Sequence, residues 1–215
     1  MSSLAKRSAK YFFKEGLKAV GIVLGLECLL VIEWFILGTD EEHFVDYLFQ
    51  MVMSVGCIIV VMMNMMYSFY GPNWYDSMAL SMGARRKDIF LGELIKQATF
   101  VGSNLAVYVI LIAIFNKYEY ILLMILSSIV SFALGPVGLV IGHKVHNHGK
   151  VIVFIIAMIA GGGGGFIGYF SATGVSIGNE SIGAYLIIAV FIIAVIIFAL
   201  FEFWAYKLNQ KSMVR

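Results

Sequence analysis

The chain has 215 residues, of which 61% are hydrophobic and 13% charged, with a mean hydropathy of +0.92. Soluble domains average about half apolar and about one quarter charged, so this composition excludes an ordinary soluble protein and points to an all-α, polytopic membrane protein. The formal net charge of +2 says little, because sidedness of charge matters more than its sum in a membrane.

A crossing helix takes about 20 residues, so six spans use about 120 and leave no room for a soluble enzyme domain. The chain reads as one transmembrane domain, 1–215, with spans near 19–37, 47–70, 91–115, 120–141, 151–170 and 182–206. Cys28 and Cys57 fall inside apolar runs and read as small packing residues rather than a disulfide framework.

Residues 4–18 set Ala5, Ala9, Phe12, Phe13 and Leu17 at spacings of three and four, with Lys6, Lys10, Lys14 and Lys18 every fourth residue. That pattern predicts an amphipathic helix in the headgroup layer, each lysine adding about 1 kcal/mol of attraction to anionic lipid. A plain positive-inside signal needs the same residues. No small-residue cleavage site follows the apolar run, so an uncleaved first span is expected.

The first span carries Glu27 and Glu33. An acid at mid-span costs about 3 kcal/mol, and each Leu, Ile, Phe or Val returns about 0.3–0.6, so the span still inserts. Glu33 beside Trp34 reaches the outer interface; Glu27 is deeper and either lines a substrate route or packs as an acid bonded to Asn or Lys of a neighbour. Asn64 and Asn104, in the second and third spans, complete a candidate translocation path. Asp40, Glu41, Glu42 and Asp46 form an acidic loop expected outside. The second span is rich in methionine, from Met51 to Met66, which reads as adaptable filler ahead of a copper site.

Gly71 to Phe90 then interrupts the apolar runs. Pro72 is expected to end the preceding helix, Asn73 to cap a new one over Trp74 to Met82, and Gly83 to stop it. Arg85, Arg86 and Lys87 favour the cytoplasmic side. In the third span Lys96 and Gln97 lie near the inner end, where such groups bond to neighbouring helices. Asn116 to Glu119 makes a tight hairpin.

The fourth span contains Pro136, which predicts a kink, and Gly138 and Gly142 at the spacing of a close helix contact. His143, Lys144, His146, His148 and Lys150 read as a solvated inner turn, a metal or proton site being the other reading. Gly161 to Gly165 in the fifth span implies close backbone contact or a local break. This run continues into Phe166 without a lysine, so it is no phosphate loop. Phe203, Trp204 and Tyr206 close the last span as an aromatic belt. Charge alternation places both termini in the cytoplasm of a multi-pass cell-membrane protein.

Gly83, Arg86, Lys87 and Phe90, with the layout of six spans around one handle, are similar to the G-x-x-R-K-x-x-F signature of type 2 ABC exporter permeases. Met82 stands where that family commonly has an aromatic residue, and Arg85 where it has a small polar one. The resemblance implies that the short helix before the signature, Trp74, Tyr75, Asp76, Ser77, Met78 and Ser81, docks onto a separate ATPase. Gly83, Arg86, Lys87 and Phe90 then anchor it. It also implies two copies of a cytoplasmic ABC ATPase carrying ATP and Mg, a second copy of this chain or a related permease, and contact with lipid but not nucleic acid. This chain itself is then a transport subunit, with no catalytic residue, metal or cofactor of its own, exporting a hydrophobic or amphipathic substrate such as a peptide. A six-span solute-binding subunit of an uptake transporter is the alternative, and an intramembrane enzyme using Glu27, Glu33 or the histidine loop a third.

Overall fold

The computed structural model describes residues 3–37, 44–148 and 180–211. Regular structure among them is helical: α1 (Ser3–Leu37), α2 (Phe44–Phe69), α3 (Asp76–Ser81), α4 (Arg86–Phe115), α5 (Ile121–His148) and α6 (Glu180–Lys211). Five helices are long and apolar enough to cross a membrane, and they coincide with the predicted spans one, two, three, four and six. The predicted fifth span, its glycine run and the loop carrying Asp40, Glu41 and Glu42 lie outside the described residues.

The long helices pack in parallel pairs. α1 lies on α4, with Phe12 against Gly92, Gly16 against Lys96 and Thr99, and Glu27 bonded to Tyr108. α2 lies on α5, from Phe49 against Tyr120 at one end to Phe69 against Gly142 at the other. Gly138 and Gly142 face the Met65 and Phe69 carbonyls so closely that a Cβ at either position meets backbone. The expected small-residue contact is therefore the seam between these two helices. α6 runs parallel to α5, with Phe132 stacked on Phe198 at 5.0 Å and Lys144 over the Trp204 ring at 5.8 Å.

These contacts define two ends. At one, Lys117 pairs with Asp46 at 3.0 Å, joining the α4–α5 hairpin to the start of α2. At the other, Ser8 Oγ donates to the Asp88 carbonyl at 3.4 Å, and Arg86 donates to the Gln210 carbonyl of α6. The basic start of α1, the handle and the end of α6 thus share one end of the bundle.

Polarity is turned inside out relative to a soluble protein. Leu29, Phe35, Ile114 and Leu200 are each more than 60% exposed, while Glu27, Asn64, Glu93, Lys96, Gln97 and Asn104 are buried. In lipid this is the expected arrangement, since polar groups face the bundle interior and apolar ones the hydrocarbon.

Several local expectations change. α1 is continuous from Ser3 to Leu37, with no break between the predicted interfacial segment and the span. Phe12 is fully buried, and Phe13 and Leu17 are exposed beside the lysines, so the predicted apolar face is divided between protein and surroundings. Pro72 does not end the helical path: Gly71–Tyr75 forms a π-helical turn that runs straight into α3, with Asp76 N–H donating to the Gly71 carbonyl five residues back. Pro72 sits in the first turn of this widened segment, where its missing donor has no partner to lose. Asn73 is accordingly inside that turn, and α3 starts after Tyr75 without a side-chain cap. Pro136 lies within α5, which runs on to His148, so the predicted inner turn at His143, Lys144, His146 and His148 is helix.

Candidate functional site: the handle and the polar cluster beneath it

The handle is a folded unit with two different faces. α3 ends where predicted: Gly83 has φ 82°, a left-handed conformation that glycine adopts without a Cβ penalty. Gly83 N–H donates to the Leu80 carbonyl at 2.9 Å and Ala84 N–H to the Ala79 carbonyl at 3.1 Å, which closes the helix as a Schellman turn. α4 then opens with the Asp88 carboxylate accepting from the Arg85 N–H at 3.3 Å, an acid well placed at a helix N-terminus.

Outward, Trp74 is 69% exposed and Met78 52%, with Ser77, Ser81 and Met82 beside them. The Ser77 and Ser81 hydroxyls donate to carbonyls three residues back, at Trp74 and Met78. Tyr11 of α1 donates to Met78 Sδ at 3.4 Å, so what this face offers is mainly the Trp74 indole and the apolar ends of Met78 and Met82. Inward, Ala79 packs with Phe12 and Ile89, while Asp76 is buried beneath the handle. Asp76, Ala79 and Leu80 follow a spacing of three and four, so the helix period itself divides α3 into a solvent face and a bundle face.

Beneath Asp76 lies an ionic cluster. Lys96 Nζ contacts Glu93 at 2.6 Å, donates to the Tyr67 carbonyl at 3.2 Å and sits 4.5 Å over the Tyr75 ring. Tyr75 stacks on Tyr67, with ring centroids 6.2 Å apart. Both members of the ion pair are almost wholly buried. Asp76 Oδ1 and both carboxyl oxygens of Glu202, on α6, are buried without a hydrogen-bond partner. Burial pushes the Asp76 carboxyl up to about 7, with Glu93 adding to the rise and Lys96 opposing it. Burial likewise pushes the Tyr75 phenol up, so it stays neutral.

Of the other predicted anchors, Arg86 reaches α6 and Phe90 meets Tyr206 edge-on at 5.1 Å, while Lys87 is exposed. Asn209 returns a bond to the Arg86 carbonyl at 3.0 Å. The motif residues therefore tie α4 to the end of α6.

Among the described residues, no hydrogen bond links one of those predicted to line a path to another. Glu27 accepts a hydrogen bond from the Tyr108 hydroxyl in the packed contact between α1 and α4. Asn64 donates to the Ser131 carbonyl at 2.7 Å, Asn104 to its own helix at Phe100, and Glu33 is exposed. An apolar cleft of about 360 Å³ lies elsewhere, between α4, α5 and α6, lined by Leu105, Phe132, Phe191 and Phe198 among others.

Sequence reasoning placed Asp76 on the docking face and passed over Glu93, Glu202 and Tyr108. The usable signals were Glu93 and Lys96 at i, i+3 on a spanning helix, and an acid inside the apolar run around Glu202. No protein-family model, curated protein or solved structure matches the chain.

Proposed function

We propose that this chain is the membrane-spanning permease subunit of a type 2 ABC exporter, working in the cell membrane as a pair with two copies of a separate ATPase. The observation that carries this reading is the handle: a short helix with an exposed Trp74–Met78 face, whose opposite face is tied to α1, α2 and α4. A partner that moves the exposed face therefore moves three helices. Aromatic and methionine side chains at the centre of a small interface supply most of its binding energy.

The G-x-x-R-K-x-x-F resemblance supports the same assignment, since Arg86 and Phe90 link the handle's far end to α6. The basic residues around it, Arg85 and Lys87, favour a cytoplasmic handle, and with it cytoplasmic termini. The parallel run of α5 and α6, which a hairpin cannot join, favours the six-span layout. Lys6, Lys10, Lys14 and Lys18 are exposed along the start of α1, which favours contact of that segment with anionic headgroups. ATP and Mg belong to the partner. The apolar cleft between α4, α5 and α6 suits an export substrate that is hydrophobic or amphipathic, such as a peptide.

The test is coexpression with the ATPase encoded beside this chain, purification through a tag on the chain, and ATP hydrolysis in lipid. A two-to-two complex is expected, and Trp74→Ala with Met78→Ala is expected to lower ATPase retention by tenfold or more while membrane insertion and thermal stability hold. Unchanged retention and ATPase stimulation in that variant would overturn the reading. Purification without ATPase but with a tightly bound small molecule would favour a solute-binding subunit.

A further inference from the structure

The handle sits on a carboxyl group that its surroundings do not let ionise freely. Asp76 is 7% exposed and its Oδ1 has no donor. The charged and titratable groups around it come from every element packed on that end. They are Glu93 and Lys96 on α4, Tyr67 on α2, Tyr75 beside it, Tyr11 and Glu15 on α1, and Glu202 on α6, which bears on Glu93. α5 meets this end through Leu139 against Gly71 and Gly142 against Pro72, neither titratable.

The balance is lopsided. Glu15 is paired with Lys18, while Asp76, Glu93 and Glu202 face the Lys96 ammonium, which is already engaged by Glu93, the Tyr67 carbonyl and the Tyr75 ring. Gln97, 1% exposed and one turn beyond Glu93 on the same helix, also has neither amide atom bonded. A second ionised carboxylate here would lie beside Glu93 with no donor bonded to its Oδ1, an arrangement low-polarity surroundings penalise strongly.

We propose that Asp76 is a proton-binding site whose occupancy keeps the handle docked against the bundle, so that loss of the proton to bulk water releases α3 and its Trp74–Met78 face. The inference does not depend on what the handle binds. Its sign follows from the direction of the shift. Burial pushes the docked Asp76 carboxyl from an ordinary 3.8 up to about 7, so the docked form holds the proton more tightly than the released one. Docking is therefore strongest below about 3.8, weakens progressively as pH rises towards about 7, and is constant above that. A swing of the handle of this kind is a local opening, not an unfolding of the bundle.

Hydrogen exchange on the purified chain in lipid nanodiscs reads the proposal directly, with rates corrected for intrinsic pH dependence. Amides of residues 74–84 are expected to be at least tenfold more protected at pH 5 than at pH 8, while those of residues 100–112 do not change. Asp76→Asn, which keeps the shape and cannot ionise, is expected to show the high protection at both values. Equal protection of the parent at the two pH values, or an Asp76→Asn variant that keeps the full difference, would overturn it. Should that variant fail to fold, infrared spectroscopy of the parent with labelled aspartate decides. A protonated aspartic acid carbonyl band that persists at pH 6 supports the site, and its absence refutes it. Neither readout involves an ATPase, so failure here leaves the exporter assignment standing, and the reverse.

Discussion

The two ends of α4 solve the same problem by different chemistry. Towards the hairpin end, Tyr108 and Ile112 enter an apolar core with Val23, Met53, Cys57 and Met124, and the buried acid there, Glu27, is met by one neutral hydroxyl. Towards the handle, Glu93 and Lys96 pair beneath Asp76 and meet Tyr75 and Tyr67, while Gln97 packs against Gly135 of α5. Buried apolar packing has one good arrangement, and its cost rises steeply on displacement. A buried charge cluster is specific in geometry and sensitive to a proton or a small shift. On the proposed release of the handle, the hairpin end is the fixed part of the bundle and the handle end the responsive one.

The sharpest way to break that contrast is at the ion pair. Glu93→Ala leaves the Lys96 ammonium buried beside a carbonyl and a ring, and is expected to destabilise the chain by about 3–5 kcal/mol. Replacing both partners, Glu93→Leu with Lys96→Met, is expected to recover most of that loss. Thermal unfolding in detergent measures both; a double variant no better than the single one would mean that the pair is needed for more than charge balance.

A smaller effect separates the seam from the lipid-facing surface. Gly138→Ala places a methyl group against the Met65 carbonyl, which belongs to helix backbone and cannot turn aside. A loss of about 1–3 kcal/mol is expected. Gly21→Ala, where a Cβ meets nothing, is expected to be neutral or to stabilise by up to about 1 kcal/mol. The same unfolding measurement compares the two, and equal losses would show that α1, not the seam, sets the tolerance of the bundle.

Much of the fold was legible because its signals are local. Apolar runs of span length gave the helices, Gly83 gave a helix stop that needs only its own φ, and Gly138 with Gly142 gave a close contact without naming its partner. What stayed hidden depends on which helix meets which. Glu27 stood out as an intramembrane acid, yet its partner is Tyr108, and an aromatic residue in an apolar run carries no mark of being a donor. Asp76 was put on a docking face because the resemblance assigns the short helix to docking as a whole, without dividing its faces. Only the packing of α3 on α1 and α4 assigns it inward. Pro72 misled for the opposite reason, since the rule that proline ends a helix assumes the α register and the chain here widens by one residue.

The smallest expected effect closes the comparison at the hairpin end. Glu27 accepts one hydrogen bond from Tyr108 and has no cationic partner in the contact. Glu27→Gln keeps an acceptor oxygen in the same place, removes no volume and leaves no buried charge behind. Stability is therefore expected to change by less than about 1 kcal/mol, and peptide export, if measured, to continue. Glu93→Gln makes the same change of atoms at the handle end but strands Lys96, so its loss is expected to be several times larger. Measuring the two amide variants side by side, in one lipid and at one pH, isolates charge from shape. Equal losses would remove the distinction between a neutral end and an ionic one. A large loss of export at Glu27→Gln with stability intact would instead place that acid in the path of the substrate.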